Sequence, residues 1–109
     1  MSYIKLADLE EREMIPGYRA RFVHTEHMTL AYWTIRAGSP LPEHSHPHEQ
    51  VVNLLEGEFE FNLAGEIQRL SPGMVVVITS NLPHSGKAIT DCRILDVFYP
   101  VRDDYRVSK

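Results

Sequence analysis

Phe59, Phe61 and Leu63 alternate with Glu58, Glu60 and Asn62, and this two-residue period most narrows the folds open to the chain. Side chains along a strand point alternately to opposite faces, so such a segment must lay its apolar face on a second layer. The same grammar recurs from residue 18 onward, as short runs broken by Gly, Pro or Asn about every eight to twelve residues. YRARFVH (18–24) and MTLAYWTIR (28–36), rich in aromatic and β-branched residues, flank a polar turn and predict a hairpin. MVVVIT follows Ser-Pro-Gly and is apolar throughout, as expected of a strand buried on both faces, and CRILDVFY closes the core. Only LADLEEREM reads as a helix, with Asp8 placed to cap a short turn. Many short strands and almost no helix predict an all-β fold, a double-sheet jelly roll or related barrel.

A chain of 109 residues supports one hydrophobic core, which predicts a single domain over 1–109. The net charge of -4 and scattered lysines and arginines provide no basic stripe, so nucleic acid is not the expected partner. The longest apolar run, MVVVI at 74–78, falls far short of a membrane span. The N-terminal segment carries acidic residues where a signal peptide has a basic start and an apolar core, and the one cysteine, Cys92, excludes an intramolecular disulfide. A cytoplasmic protein with no membrane partner is expected. Cys92 sits in a strand-like run and reads as a small buried apolar residue rather than a nucleophile. Arg19 and Arg21 read as exterior.

The segment LPEHSHPHEQ (41–50) concentrates three histidines, two glutamates and a glutamine. It is either a solvated histidine-rich loop or a source of metal ligands. On an extended strand His44 and His46 project from one face, and Gln50 rejoins that face if the strand resumes after the kink at Pro47. His84, in SNLPHSG, would come from a distant strand. Three imidazoles and an amide oxygen suit a divalent transition metal, nickel, zinc, iron or manganese, with positions left for water or substrate.

Gly38, five residues, His44-Ser45-His46, three residues, Gln50, six residues and Gly57 resemble the first motif of the cupin family (38–57). PGMVVVITSNLPHSG resembles the second (72–86), with Met74 where an aspartate is usual. The resemblance implies a cupin-type double-stranded β-helix and assigns the metal to His44, His46, Gln50 and His84. His48 has no counterpart among the ligands and reads as a loop histidine near the mouth. Gln50 stands where glutamate is commoner, and a neutral ligand leaves the metal more electrophilic and friendlier to an anion.

The tail ILDVFYPVRDDY carries Asp96, Phe98, Pro100 and Arg102 in the pattern D-x-F-x-P-x-R, which resembles the small KdgF-like pectin-degradation cupins. That resemblance implies conversion of 4,5-unsaturated uronate monosaccharides, from pectin or alginate, to linear keto-uronates, with Asp96, Phe98 and Arg102 as catalytic residues. Asp96 would move protons, Arg102 would fork onto the substrate carboxylate and Phe98 would pack on the sugar ring. Plainer readings pair Asp96 with Arg69 or Arg93 and leave Arg102 on the surface of the charged tail RDDYRVSK. An iron-dependent dioxygenase on the same ligands and a cupin that binds a sugar or small molecule without turnover are the alternatives, since one scaffold hosts many functions. A sugar acid as ligand and a homodimer are expected from the family.

Overall fold

The computed structural model describes residues 2–106, and the last three residues of the charged tail lie outside them. In chain order the strands are β1 (Arg12–Ile15), β2 (Tyr18–His24), β3 (Thr29–Ile35), β4 (Pro40–His44) and β5 (Glu49–Glu56). They continue with β6 (Phe59–Leu63), β7 (Glu66–Leu70), β8 (Val75–Ile78), β9 (His84–Ala88) and β10 (Cys92–Tyr99). A six-stranded sheet runs β1-β2-β3-β10-β5-β8 and a four-stranded sheet β4-β9-β6-β7, with antiparallel pairing throughout. This is the jelly-roll barrel of the all-β expectation. Among the described residues no helix is long and apolar enough to cross a membrane.

Alternation sets the interior. In β10 Cys92, Ile94, Asp96 and Phe98 are buried while Arg93 and Tyr99 are exposed, so Asp96 belongs to the inward row of a core strand. Leu54, Val52, Ile78, Phe59 and Phe61 join Ile94 and Cys92 from both sheets in one apolar cluster. Burying each such side chain stabilises the fold by roughly 1.5–3 kcal/mol. Cys92 is buried as expected, its Sγ donating to the Glu58 and Thr90 carbonyls at 3.1 and 3.3 Å. Gly57 turns β5 into β6 with φ +93°, and a Cβ there would lie 2.2 Å from the Asp91 carbonyl oxygen. Gly57→Ala is therefore expected to cost at least about 2 kcal/mol, read as a lower urea midpoint.

Three expectations need correction. The helix over LADLEEREM is a three-residue turn, Leu6–Asp8, preceded by Lys5, with no side-chain cap, and Arg12–Ile15 forms β1 instead. So short a segment cannot offset helix nucleation, whereas pairing with β2 satisfies its backbone. The MVVVI strand is not buried on both faces: Val75 and Val77 are 53% and 55% exposed, because they point to the outer face of the six-stranded sheet, which no second layer covers among the described residues. Finally, β4 stops at His44 and the chain bends through Ser45–His48, so His44 and His46 do not share one straight strand. Arg19 and Arg21 do lie outside, both paired with Glu11.

Candidate metal centre

Backbone carbonyls orient the three histidines. His44 at the end of β4 and His84 at the start of β9 are cross-strand partners, which puts their ring centroids 4.2 Å apart. The bend after His44 swings His46 back over both, 5.8 and 5.0 Å away. The Nδ1 of His44 bonds to the Pro42 carbonyl at 2.8 Å, that of His46 to the His48 carbonyl at 3.0 Å and that of His84 to the Leu82 carbonyl at 2.9 Å. A carbonyl only accepts, so each Nδ1 carries the hydrogen and each Nε2 keeps its lone pair. One ring nitrogen from each lies within 4.8 Å of the others.

Two further features fit a cation. The Nε2 of His84 is buried and has no hydrogen-bond partner among the described residues. The Nε2 of His46 faces the Gln50 Oε1 at 2.9 Å, a lone pair against a carbonyl oxygen, which a positive ion between them would reconcile. Burial pushes the His84 pKa down to about 4, against the pull of its bond to Leu82. Burial, then Arg102, also lowers His46. Both imidazoles are thus neutral at ordinary pH, the form that binds metal. The donor set suits a divalent transition metal, with the ring orientation fixed by outer hydrogen bonds as such sites require.

Next to this cluster stands Asp96. The β10–β5 register sets Phe98 opposite Gln50 and Asp96 opposite Val52, so the carboxylate, the ring and the amide share the interior side. Trp33 Nε1 donates to Asp96 Oδ2 at 3.0 Å, while among the described residues Oδ1 has no hydrogen-bond partner of good geometry, the Gln50 amide being near enough to favour the charged carboxylate. Burial raises the Asp96 pKa to about 7, although the amide of Gln50, the Trp33 indole and Arg102 all pull it down. Neither expected arginine pairs with Asp96: Arg69 lies beside Glu58, and Arg93 is exposed on the opposite face of β10.

Arg102 is not on the surface. It is 7% exposed, its backbone N–H donates to Thr29 Oγ1 at 2.8 Å, and its guanidinium lies over the Phe98 and Tyr105 rings, 4.7 and 3.9 Å from their centroids. Nε and Nη2 fork onto Asp104 at 3.0 and 2.8 Å. Burial opposes its charge, but Asp104 and Tyr105 outweigh burial and raise its pKa. Asp104 thus occupies the fork that the resemblance assigns to substrate, and its side chain, 58% exposed, is the partner free to turn outward.

His44, His46, Gln50, His84, Asp96, Phe98 and Arg102 all line one cavity of about 330 Å³ between the sheets. The rest of its wall is largely apolar, with Ile15, Leu41, Val52, Phe59, Phe61 and Ile94 among the lining residues. Sequence reasoning passed over Trp33, Thr29, Asp104 and Tyr105. Period-two parity puts Trp33 on the inner face with Ala31 and Ile35, but carries no sign of its partner. His48 contributes through its backbone carbonyl, and its half-buried imidazole stands 6.5 Å from the Phe98 ring.

The cupin domain family matches residues 31–98. Among curated proteins nothing matches. Of solved structures, KdgF from Halomonas sp. is similar at 28% identity over 97% of this chain and 99% of that one, with a TM-score of 0.91. An RmlC-like cupin from Shewanella frigidimarina NCIMB 400 is 22% identical over 97% of this chain and 96% of that one, with a TM-score of 0.92. Bacillus subtilis oxalate decarboxylase, a protein with Mn(II) centres, is 21% identical over 89% of this chain and 29% of that one, with a TM-score of 0.79. The likeness to these last two is one of fold.

Proposed function

We propose that this chain, which belongs to the cupin family, is a metal-dependent enzyme that converts 4,5-unsaturated uronate monosaccharides to linear keto-uronates. The observation that carries the reading is Asp96, a carboxylate in the inward row of a core strand, beside three convergent imidazoles and within the field of a buried arginine. A buried carboxylate is costly unless it has work or a partner, and one of its oxygens has no hydrogen-bond partner of good geometry among the described residues. The likeness to the Halomonas KdgF over nearly the full length of both chains supports the same reading.

His44, His46, His84 and Gln50 would hold the metal, and a divalent ion bound there supplies Lewis acidity toward substrate oxygens. The substrate is a cyclic enol ether with a hydroxyl on its anomeric carbon. Asp96 takes that hydroxyl's proton as the bond between anomeric carbon and ring oxygen breaks, leaving an aldehyde and an enolate. It then returns the proton to the far carbon of the double bond, which makes the ketone, so the product is an isomer of the substrate. A group with a pKa of about 7 is present in both forms near neutrality, as a proton carrier of this kind requires. Phe98 and Tyr105 shield the reacting face, and Arg102 exchanges its Asp104 partner for the substrate carboxylate.

Proton NMR of a reaction mixture checks the chemistry. The vinylic signal should vanish as a methylene signal grows, and a different product sinks the assignment. The apolar remainder of the cavity wall favours a second reading, an iron-dependent oxygenase acting on a less polar substrate, which oxygen uptake by the iron-loaded protein would reveal. A homodimer belongs to the proposal too: Leu55, Val75, Val77 and Tyr99 are all exposed on the outer face of the six-stranded sheet, which a second copy would cover.

A further inference from the structure

We propose that Trp33 is a positioning residue for Asp96: its indole N–H holds Oδ2 and fixes the orientation of the carboxylate. The kinetic part of this inference rests on the uronate reading; the structural part does not.

The register explains how the contact arises. On β10 Asp96 lies opposite Ala31 of β3, and Ile94 lies opposite Trp33. Ala31 is fully buried and offers only a methyl, which leaves room over the carboxylate for the side chain two positions along the same face. The Trp33 indole fills that room and reaches Oδ2 at 3.0 Å. Its plane is held by edge contacts with Tyr18, Phe22 and Tyr105, at centroid distances of 6.2, 6.0 and 6.5 Å. Packed against three rings, the indole cannot swing away without moving them.

The chemistry follows from what an indole can do. Its N–H donates and cannot accept. Oδ2 is thus engaged by a donor held in a fixed place, which sets the plane of the carboxylate. Among the described residues Oδ1 has no hydrogen-bond partner of good geometry. Trp33 takes no part in proton transfer itself. It keeps the carboxylate from rotating, so that the same oxygen is presented at each turnover.

The chain contains one tryptophan, so replacing tryptophan throughout with β-(benzothienyl)alanine exchanges this single N–H for sulfur in a side chain of the same shape. The expected result is a roughly 10- to 100-fold lower kcat, with KM and metal content little changed, the loss appropriate to a hydrogen bond with a charged group. An unchanged kcat overturns the proposal. Should the analogue protein fold poorly, Trp33→Phe serves, with its melting curve as control. A merely structural role would lower thermal stability and leave the kcat of the folded fraction intact.

A second arm needs no turnover. The single indole N–H resonance should exchange slowly with solvent and move upfield in Asp96→Ala, as expected when a charged acceptor is removed. A resonance that exchanges fast and ignores Asp96→Ala overturns the contact. If the wild-type protein does not convert the uronate, the reading of the preceding subsection falls and the indole resonance decides the Trp33 claim alone.

Discussion

Replacing Asp96 with asparagine is expected to lower turnover of the unsaturated uronate by roughly 10²–10⁴-fold, the range for removing a general acid–base group, while metal content stays unchanged. Asparagine keeps an oxygen for the Trp33 N–H and nearly the same volume, so lost activity would not trace to lost packing. The same substitution should make the metal-free protein more stable at high pH. In the unfolded chain the carboxyl ionises near its ordinary value of 3.8, whereas in the fold burial holds the proton to about 7. Between those values the folded state binds more protons than the unfolded one, so this group's contribution to stability falls as pH rises through the window. At pH 8 the native protein bears the full cost of a buried charge, on the order of 2–4 kcal/mol, which asparagine does not. Melting curves of the two proteins should therefore separate at pH 8, with Asp96→Asn higher, and converge near pH 4. A mutant that is active, or one less stable at pH 8, contradicts the role given to Asp96.

His84→Ala is expected to have the other large effect. His84 is 2% exposed, its Nδ1–H is committed to the Leu82 carbonyl, and its Nε2 is buried without a partner among the described residues. If that nitrogen is a ligand, divalent metal affinity should fall by more than the roughly 10- to 100-fold typical of losing an outer-shell contact. Titration calorimetry with the metal alone measures this without reference to substrate. Because the ring also stacks on Phe61 at 6.1 Å, His84→Ala should lose some stability as well. His84→Gln, which fills more of the space, separates the two effects. Native metal affinity in both variants would remove His84 from the ligand set.

How much of this is legible in the chain depends on where each element sits. Alternation locates β6 and β10 because one face of each meets the interior, and it places Asp96 and Phe98 on the same side of β10. The hairpin of β2 and β3 reads equally well, since aromatic and β-branched residues fill both strands. Edge strands escape the rule. β8 looks fully buried because its valines are apolar, but its outer face has no covering layer, and β1 has too few residues to show a period. The histidines are visible as a motif, yet their convergence depends on a bend at Ser45–His48 and on carbonyls two residues away, which no side-chain pattern encodes. Contacts between side chains distant in sequence, Trp33 with Asp96 and Thr29 with Arg102, are set by strand register and become apparent only when the sheet is assembled.

The proposed activity is tested most directly by adding purified protein to freshly prepared 4,5-unsaturated monouronate and following the ultraviolet absorbance of its double bond, with the uncatalysed decay subtracted. A faster decay is expected, suppressed by a chelator and restored by a divalent transition metal. A metal-loaded protein that leaves the decay at its background rate would contradict it.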